Sequence, residues 1–225
     1  KQETEGVCYE LEVSGLLGGH SGGEIHKERG NSNCILGRLL WKLAGSMETG
    51  LVSAEGGLAD NAIPRQTKAV IVVAEKDAAG LEQQVETLAA ELADELATKD
   101  PEVKLTAKKL SKAPEKVACT TPEEVKRVAA FLQATPNGVQ AMSADMPGLV
   151  QTSLNLGILK ADAELLKAEY SVRSSVESEK DNLIAKLAAL VELTGGSYEV
   201  TGDYPGWKYR VHSPLREKMV KLYTE

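Results

Sequence analysis

The chain has 225 residues, 42% hydrophobic and 26% charged, with a net charge of −7; that suits one large globular domain or two small ones, and an acidic balance with no basic, aromatic-interleaved stretch argues against a nucleic-acid partner. No apolar run approaches the roughly 20 residues of a membrane span, and no signal peptide is visible. Cys8, Cys34 and Cys119 form no CxxC pair, which points away from a zinc site or disulfide framework and toward a reducing, cytoplasmic setting.

Val7, Tyr9, Leu11 and Val13 alternate with Cys8, Glu10, Glu12 and Ser14, the pattern of a half-buried strand. It leads into GLLGGHSGGEIHKERGN, residues 15–31. Ile35, Leu36, Leu39, Leu40 and Leu43 then fall at helical spacing between a cap at Asn31 or Ser32 and a stop at Gly45 or Gly50. Leu51–Ala54 is a short strand, GGLADNAIPRQ a long turn, and TKAVIVVA (67–74) an inner strand. Asp77 opens a helix with Leu81, Val85, Leu88, Leu92 and Leu96 on one face; Pro101 ends it, and VKLTAKKL (103–110) returns as a strand.

After a charged linker, Ser111–Cys119, the order repeats. TPEE at 121–124 is a capping box that opens a helix through Gln133. Strands are expected at 150–160 and 164–175, a helix over Glu177–Leu193, and a last strand in SYEVTG (197–202). Residues 7–110 thus read β-α-β-β-α-β and residues 121–202 read α-β-β-α-β. The expected fold class is α/β of the α+β kind: two ferredoxin-like units, each a two-layer sandwich with helices on one face of an antiparallel sheet. The halves are bounded at 1–110 and 111–202. Lys1 is not an initiator methionine, and the final apolar-periodic helix, PLREKMVKLYTE, has no closing cap; the chain is expected to be a piece of a longer one.

Glycine doublets bracket His20 on both sides. Their freedom to take positive φ would present the imidazole at a loop tip, where it could donate to an oxyanion or accept a proton, or simply be solvated in a turn. Neither a Walker loop nor GxGxxG is present, and no HExxH cluster exists, so no metal site is expected within the chain. Arg173 lies on a strand face from which a guanidinium could grip a carboxylate or point to solvent. Asn61 fits ordinary turn chemistry in DNAIPR. Asn155 sits in a strand where β-formers are expected, so its amide should bond a nearby turn or meet a ligand.

SGLLGGHSGGEIHKERGN, GGLADNAIPRQ, VQTSLNLGILK and EYSVRSSVESEKDNL, in this order between about Val7 and Trp207, together resemble the lid region of the aminoacyl-histidine dipeptidases. These are cytoplasmic two-zinc peptidases, also called Xaa-His dipeptidases or peptidase D, related to carnosinase. The resemblance implies a lid inserted in a catalytic domain that carries two zinc ions, to which residues 203–225 would return. It implies that His20 stabilises the tetrahedral intermediate, that Asn61 lies near the substrate, and that Arg173 binds the substrate's terminal carboxylate. It attaches no role to Asn155, His26 or His212, and Glu24 and Arg29 are read as shaping the loop. The expected partners are a dipeptide, the chain's own catalytic domain and a second copy of the protein. The fragment alone should be inactive. The alternative is a non-catalytic ferredoxin-like regulatory or oligomerisation module, which has no use for the glycine loop.

Overall fold

The computed structural model describes residues 1–206, 210 and 212–224. Of the expected returning segment, Trp207, Lys208, Tyr209, Val211 and Glu225 lie outside the described residues. The first half comprises β1 (Gln2–Ser14), β2 (Gly19–His20), α1 (Ser32–Ala44), β3 (Thr49–Gly56), β4 (Ala62–Ile63), β5 (Thr67–Val73), α2 (Ala78–Glu95) and β6 (Lys104–Lys109). The second comprises β7 (Glu115–Cys119), α3 (Pro122–Ala134), β8 (Gly138–Met142), β9 (Val150–Ala161), β10 (Leu166–Ser174) and α4 (Glu177–Thr194), with α5 (Pro214–Thr224) at the end.

The alternation in β1 is realised as written. Val7, Tyr9, Leu11 and Val13 are buried and meet Ala69, Ile71 and Val73 of β5, Leu36, Leu39, Leu40 and Leu43 of α1, and Leu81, Val85, Leu88 and Leu92 of α2 in one core. Strands β3-β5-β1-β6 lie side by side in that order, all antiparallel to their neighbours, which is the ferredoxin-like arrangement of the first unit. The mixed α/β class with an antiparallel sheet and helices is the expected one.

The second half does not stand apart. Glu55 and Gly56 of β3 pair with Lys160 and Leu159 of β9, and β10 and β8 flank β9 in turn. The two halves therefore share one eight-stranded sheet. Three details correct the sequence reading. The linker 111–119 is half strand: β7 pairs with Gln2–Gly6, and β1 begins five residues earlier than its apolar pattern. Strand β8 forms in a stretch without clear alternation. The expected strand at 197–202 is absent; Tyr198 and Val200 are exposed, because alternation without a partner edge buries nothing.

The TPEE capping box forms as expected, with Thr121 Oγ1 accepting from the Glu124 amide at 3.2 Å and the Glu124 carboxylate accepting from the Thr121 amide at 2.7 Å. Asp77, by contrast, makes no cap bond; a 3-10 turn, Glu75–Asp77, leads into α2 instead.

Candidate active site

The glycine loop between β1 and α1 is built from its base. Asp100, fully buried behind α2, accepts from the backbone amide of Leu17 at 2.7 Å and of Gly30 at 2.6 Å. One carboxylate thus ties both ends of the loop, and two charge-assisted bonds satisfy it in the interior. Inside the loop, Arg29 donates to the Gly18 carbonyl, and the Glu24 carboxylate accepts from the His20 amide at 3.2 Å and from Lys27 at 2.6 Å. The Lys27 ammonium, and then the His20 amide, hold Glu24 at about 2, well below the usual carboxylate range. Glu24 and Arg29 therefore shape the loop.

The glycines divide the work. Gly18 and Gly19 take positive φ, 63° and 143°, as expected. Gly22 and Gly23 do not; they supply amides, both donating to His20 Nδ1 at 3.1 Å. With Nδ1 held as an acceptor, the neutral imidazole carries its proton on Nε2 and presents it as a donor. The His20 side chain is exposed, while its backbone is held in the short β2–β4 ladder, His20 opposite Ala62.

That ladder brings in Asn61. Ala59–Ala62 closes a turn, with the Ala62 amide on the Ala59 carbonyl at 3.2 Å, and Asn61 stands inside it. The Asn61 carbonyl accepts from the Ser21 amide at 2.8 Å, next to His20. The Asn61 side chain is exposed and makes no hydrogen bond among the described residues.

Arg173 arrives from β10, opposite Ser153 of β9. A Cβ on Gly22 would lie 3.0 Å from His20 Cε1 and 3.3 Å from both Nε and Cζ of Arg173. The absent side chain leaves the imidazole and the guanidinium facing one corner. Arg173 Nη1 reaches the Tyr204 hydroxyl at 3.5 Å, and its buried Nε has no partner among the described residues. His20 and Arg173, far apart in sequence, therefore meet at Gly22, and Asn61 joins the loop through its main-chain carbonyl, whereas His26 is exposed on the 3-10 turn Ile25–Lys27 and His212 is exposed ahead of α5.

Asn155 is fully buried. Its Nδ2 donates to the Asp60 and Ala62 carbonyls at 3.0 and 2.9 Å, so of the two options open from sequence it bonds the turn. Asp100 was missed: an Asp between a helix end and Pro101 reads as a plain helix stop, and its partner at Leu17 is 83 residues away. Among the described residues no three His, Cys, Asp or Glu side chains gather as a metal site.

Residues 11–101 match the family described as the peptidase dimerisation domain of the M20 type. Over 215 residues the chain is 34% identical to the cytosol non-specific dipeptidase of Escherichia coli (strain K12), across 96% of this chain and 44% of that protein. The crystal structure of aminoacylhistidine dipeptidase from Vibrio alginolyticus superposes with a TM-score of 0.89 at 30% identity, over 97% of this chain and 44% of that one. Over residues 11–101 the chain resembles the M20 peptidase dimerisation domain. It spans just under half the length of the dipeptidases it matches. The dimerisation-domain match holds the His20 loop and Asn61 but ends before Asn155 and Arg173. Among the described residues no helix is long and apolar enough to cross a membrane.

Proposed function

We propose that this chain is the substrate-capping lid of a cytosolic, metal-dependent dipeptidase that hydrolyses Xaa-His-type dipeptides, the dimerisation domain with its His20 loop forming the closing jaw. The observation that carries the reading is the fixed imidazole: two loop amides occupy Nδ1, which leaves the proton on Nε2, and the ring's Cε1 edge shares the Gly22 corner with the Arg173 guanidinium. An N–H aimed at a scissile carbonyl stabilises the charge that develops on its oxygen as the tetrahedral intermediate forms. The guanidinium holds the dipeptide's terminal carboxylate through parallel N–H donors and thereby fixes where the carbonyl lies. Asn61, with its amide unengaged, contacts the substrate from the adjoining turn. Closure of the lid excludes water from this corner.

The described residues do not fit a metal site. The two zinc ions implied by the resemblance belong to sequence beyond this chain, where the chain's own catalytic domain would hold them. The domain's family description favours a homodimer, and pairing of lids is compatible with capping. The cytosolic setting rests on the name of the Escherichia coli relative and on three free cysteines.

The test is His20→Ala in the complete protein. Turnover of a histidine-ending dipeptide should fall by roughly 100- to 1,000-fold with metal content unchanged. A fall of less than about fivefold would remove the oxyanion role.

A further inference from the structure

We propose that Asn155 is a positioning residue that sets the Asn61 turn and, through it, the His20 loop; the proposal rests on the capping function above and extends it to a residue that touches no reacting atom. The amide has no freedom left. Its Nδ2 reaches the carbonyls on either side of Asn61, those of Asp60 and Ala62, and its Oδ1 accepts from Asn31 Nδ2 at 3.2 Å. Asn31 is itself anchored as the N-cap of α1, where Oδ1 accepts from the Asn33 and Cys34 amides at 3.0 and 3.2 Å. Asn155 lies on β9, opposite Ser171 of β10.

The bonds therefore form one line: helix N-terminus, Asn31, Asn155, the two carbonyls that bracket Asn61, then the Asn61 carbonyl to the Ser21 amide at 2.8 Å, and His20 next along the chain. Only an amide serves here. The turn takes two donors, and Asn31 Nδ2, which also donates to the Leu156 carbonyl at 3.0 Å, takes one acceptor; Asp offers no donor to the carbonyls, and an apolar residue offers neither. A buried polar side chain with every partner satisfied holds its geometry tightly, and small displacements of a catalytic group are costly. The same line joins the half that carries His20 and Asn61 to the strand next to the one that carries Arg173.

The experiment uses the complete protein and a histidine-ending dipeptide. Asn155→Ala should lower kcat by roughly 10- to 100-fold, with Asn155→Ser, which keeps a single donor, between that and the parent. In a His20→Ala background the further loss from Asn155→Ala should shrink to less than about twofold, because the imidazole it positions is gone. Hydrogen exchange at the Ser21 amide should rise about tenfold or more in Asn155→Ala, while the Ile71 amide in the core keeps its protection. Equal losses in both backgrounds, an unchanged Ser21 amide, or protection lost throughout the sheet each overturn the proposal. If neither Asn155 variant folds, Asn155 is a residue of the general core and the proposal is likewise overturned. His20→Ala separates the two readings: if it leaves turnover intact, the capping function falls; if it collapses turnover while Asn155→Ala is additive with it, only the positioning role falls.

Discussion

At the scale of single residues, the corner around Gly22 depends on groups that do different jobs. His20 presents a donor because its other ring nitrogen is occupied. Arg173 presents a guanidinium whose Nε is buried and unpaired among the described residues, an arrangement that costs free energy unless a ligand or partner completes it. If that ligand is a carboxylate, Arg173→Ala in the complete protein should raise KM for dipeptides with a free C-terminus and spare amidated ones; equal losses on both in steady-state kinetics contradict the clamp. Glu24 makes a second prediction. Its carboxylate, held at about 2 against an ordinary 4.5, is depressed in the folded loop, so its contribution to loop order is present above the ordinary value and is lost as pH falls from there toward about 2. The His20 amide, which bonds that carboxylate, should shift in NMR spectra with a midpoint near 2, and Glu24→Gln should abolish the transition. A midpoint near the ordinary value contradicts the bracing described here.

At the scale of elements, α1 carries the most constraint. It packs on the sheet with Leu36, Leu39, Leu40 and Leu43 and crosses α3 so closely that a Cβ on Gly37 would lie 2.6 Å from Leu132 Cβ. The contact joins the two halves through their helices. Gly37→Ala gains up to about 1 kcal/mol of helix propensity but forces the helices apart, at a cost of about 1–3 kcal/mol. A net loss of stability is expected in the denaturant midpoint, and a stabilised variant would mean the crossing yields easily. Element boundaries were legible where the apolar period was long: α1, α2, α3, α4, β9 and β10 lie within a few residues of the positions their patterns imply. They were not legible in β7 and β8, which are five residues each and owe their existence to a neighbour's unpaired edge.

At the scale of the whole molecule, β3–β9 pairing and the α1–α3 crossing make one sheet and one core from a sequence that repeats its order of elements. Folding of the described part should be a single cooperative event. In native-state hydrogen exchange, the amides of Ile71 in β5 and Leu156 in β9 should open with the same free energy and the same denaturant dependence; different slopes would divide the chain into two independent halves. Arg173, on the far side of that shared sheet, meets His20 only because the halves are joined.

What local sequence determined is what depends on period and on residue type over a few positions: the faces of β1 and the helices, the capping box at Thr121, the positive φ of Gly18 and Gly19, and the exposure of His20 on a glycine loop. What tertiary structure alone decided is which distant groups meet. Asp100 clasps a loop 83 residues back, Asn155 holds a turn 95 residues back, and the second half gives its strands to the first half's sheet. The hydrophobic period says which side of a strand is buried, because burial is averaged over a face. It is silent on which edge a strand joins and which buried donor finds which acceptor, because those depend on the register and direction of single hydrogen bonds between segments that only folding brings together.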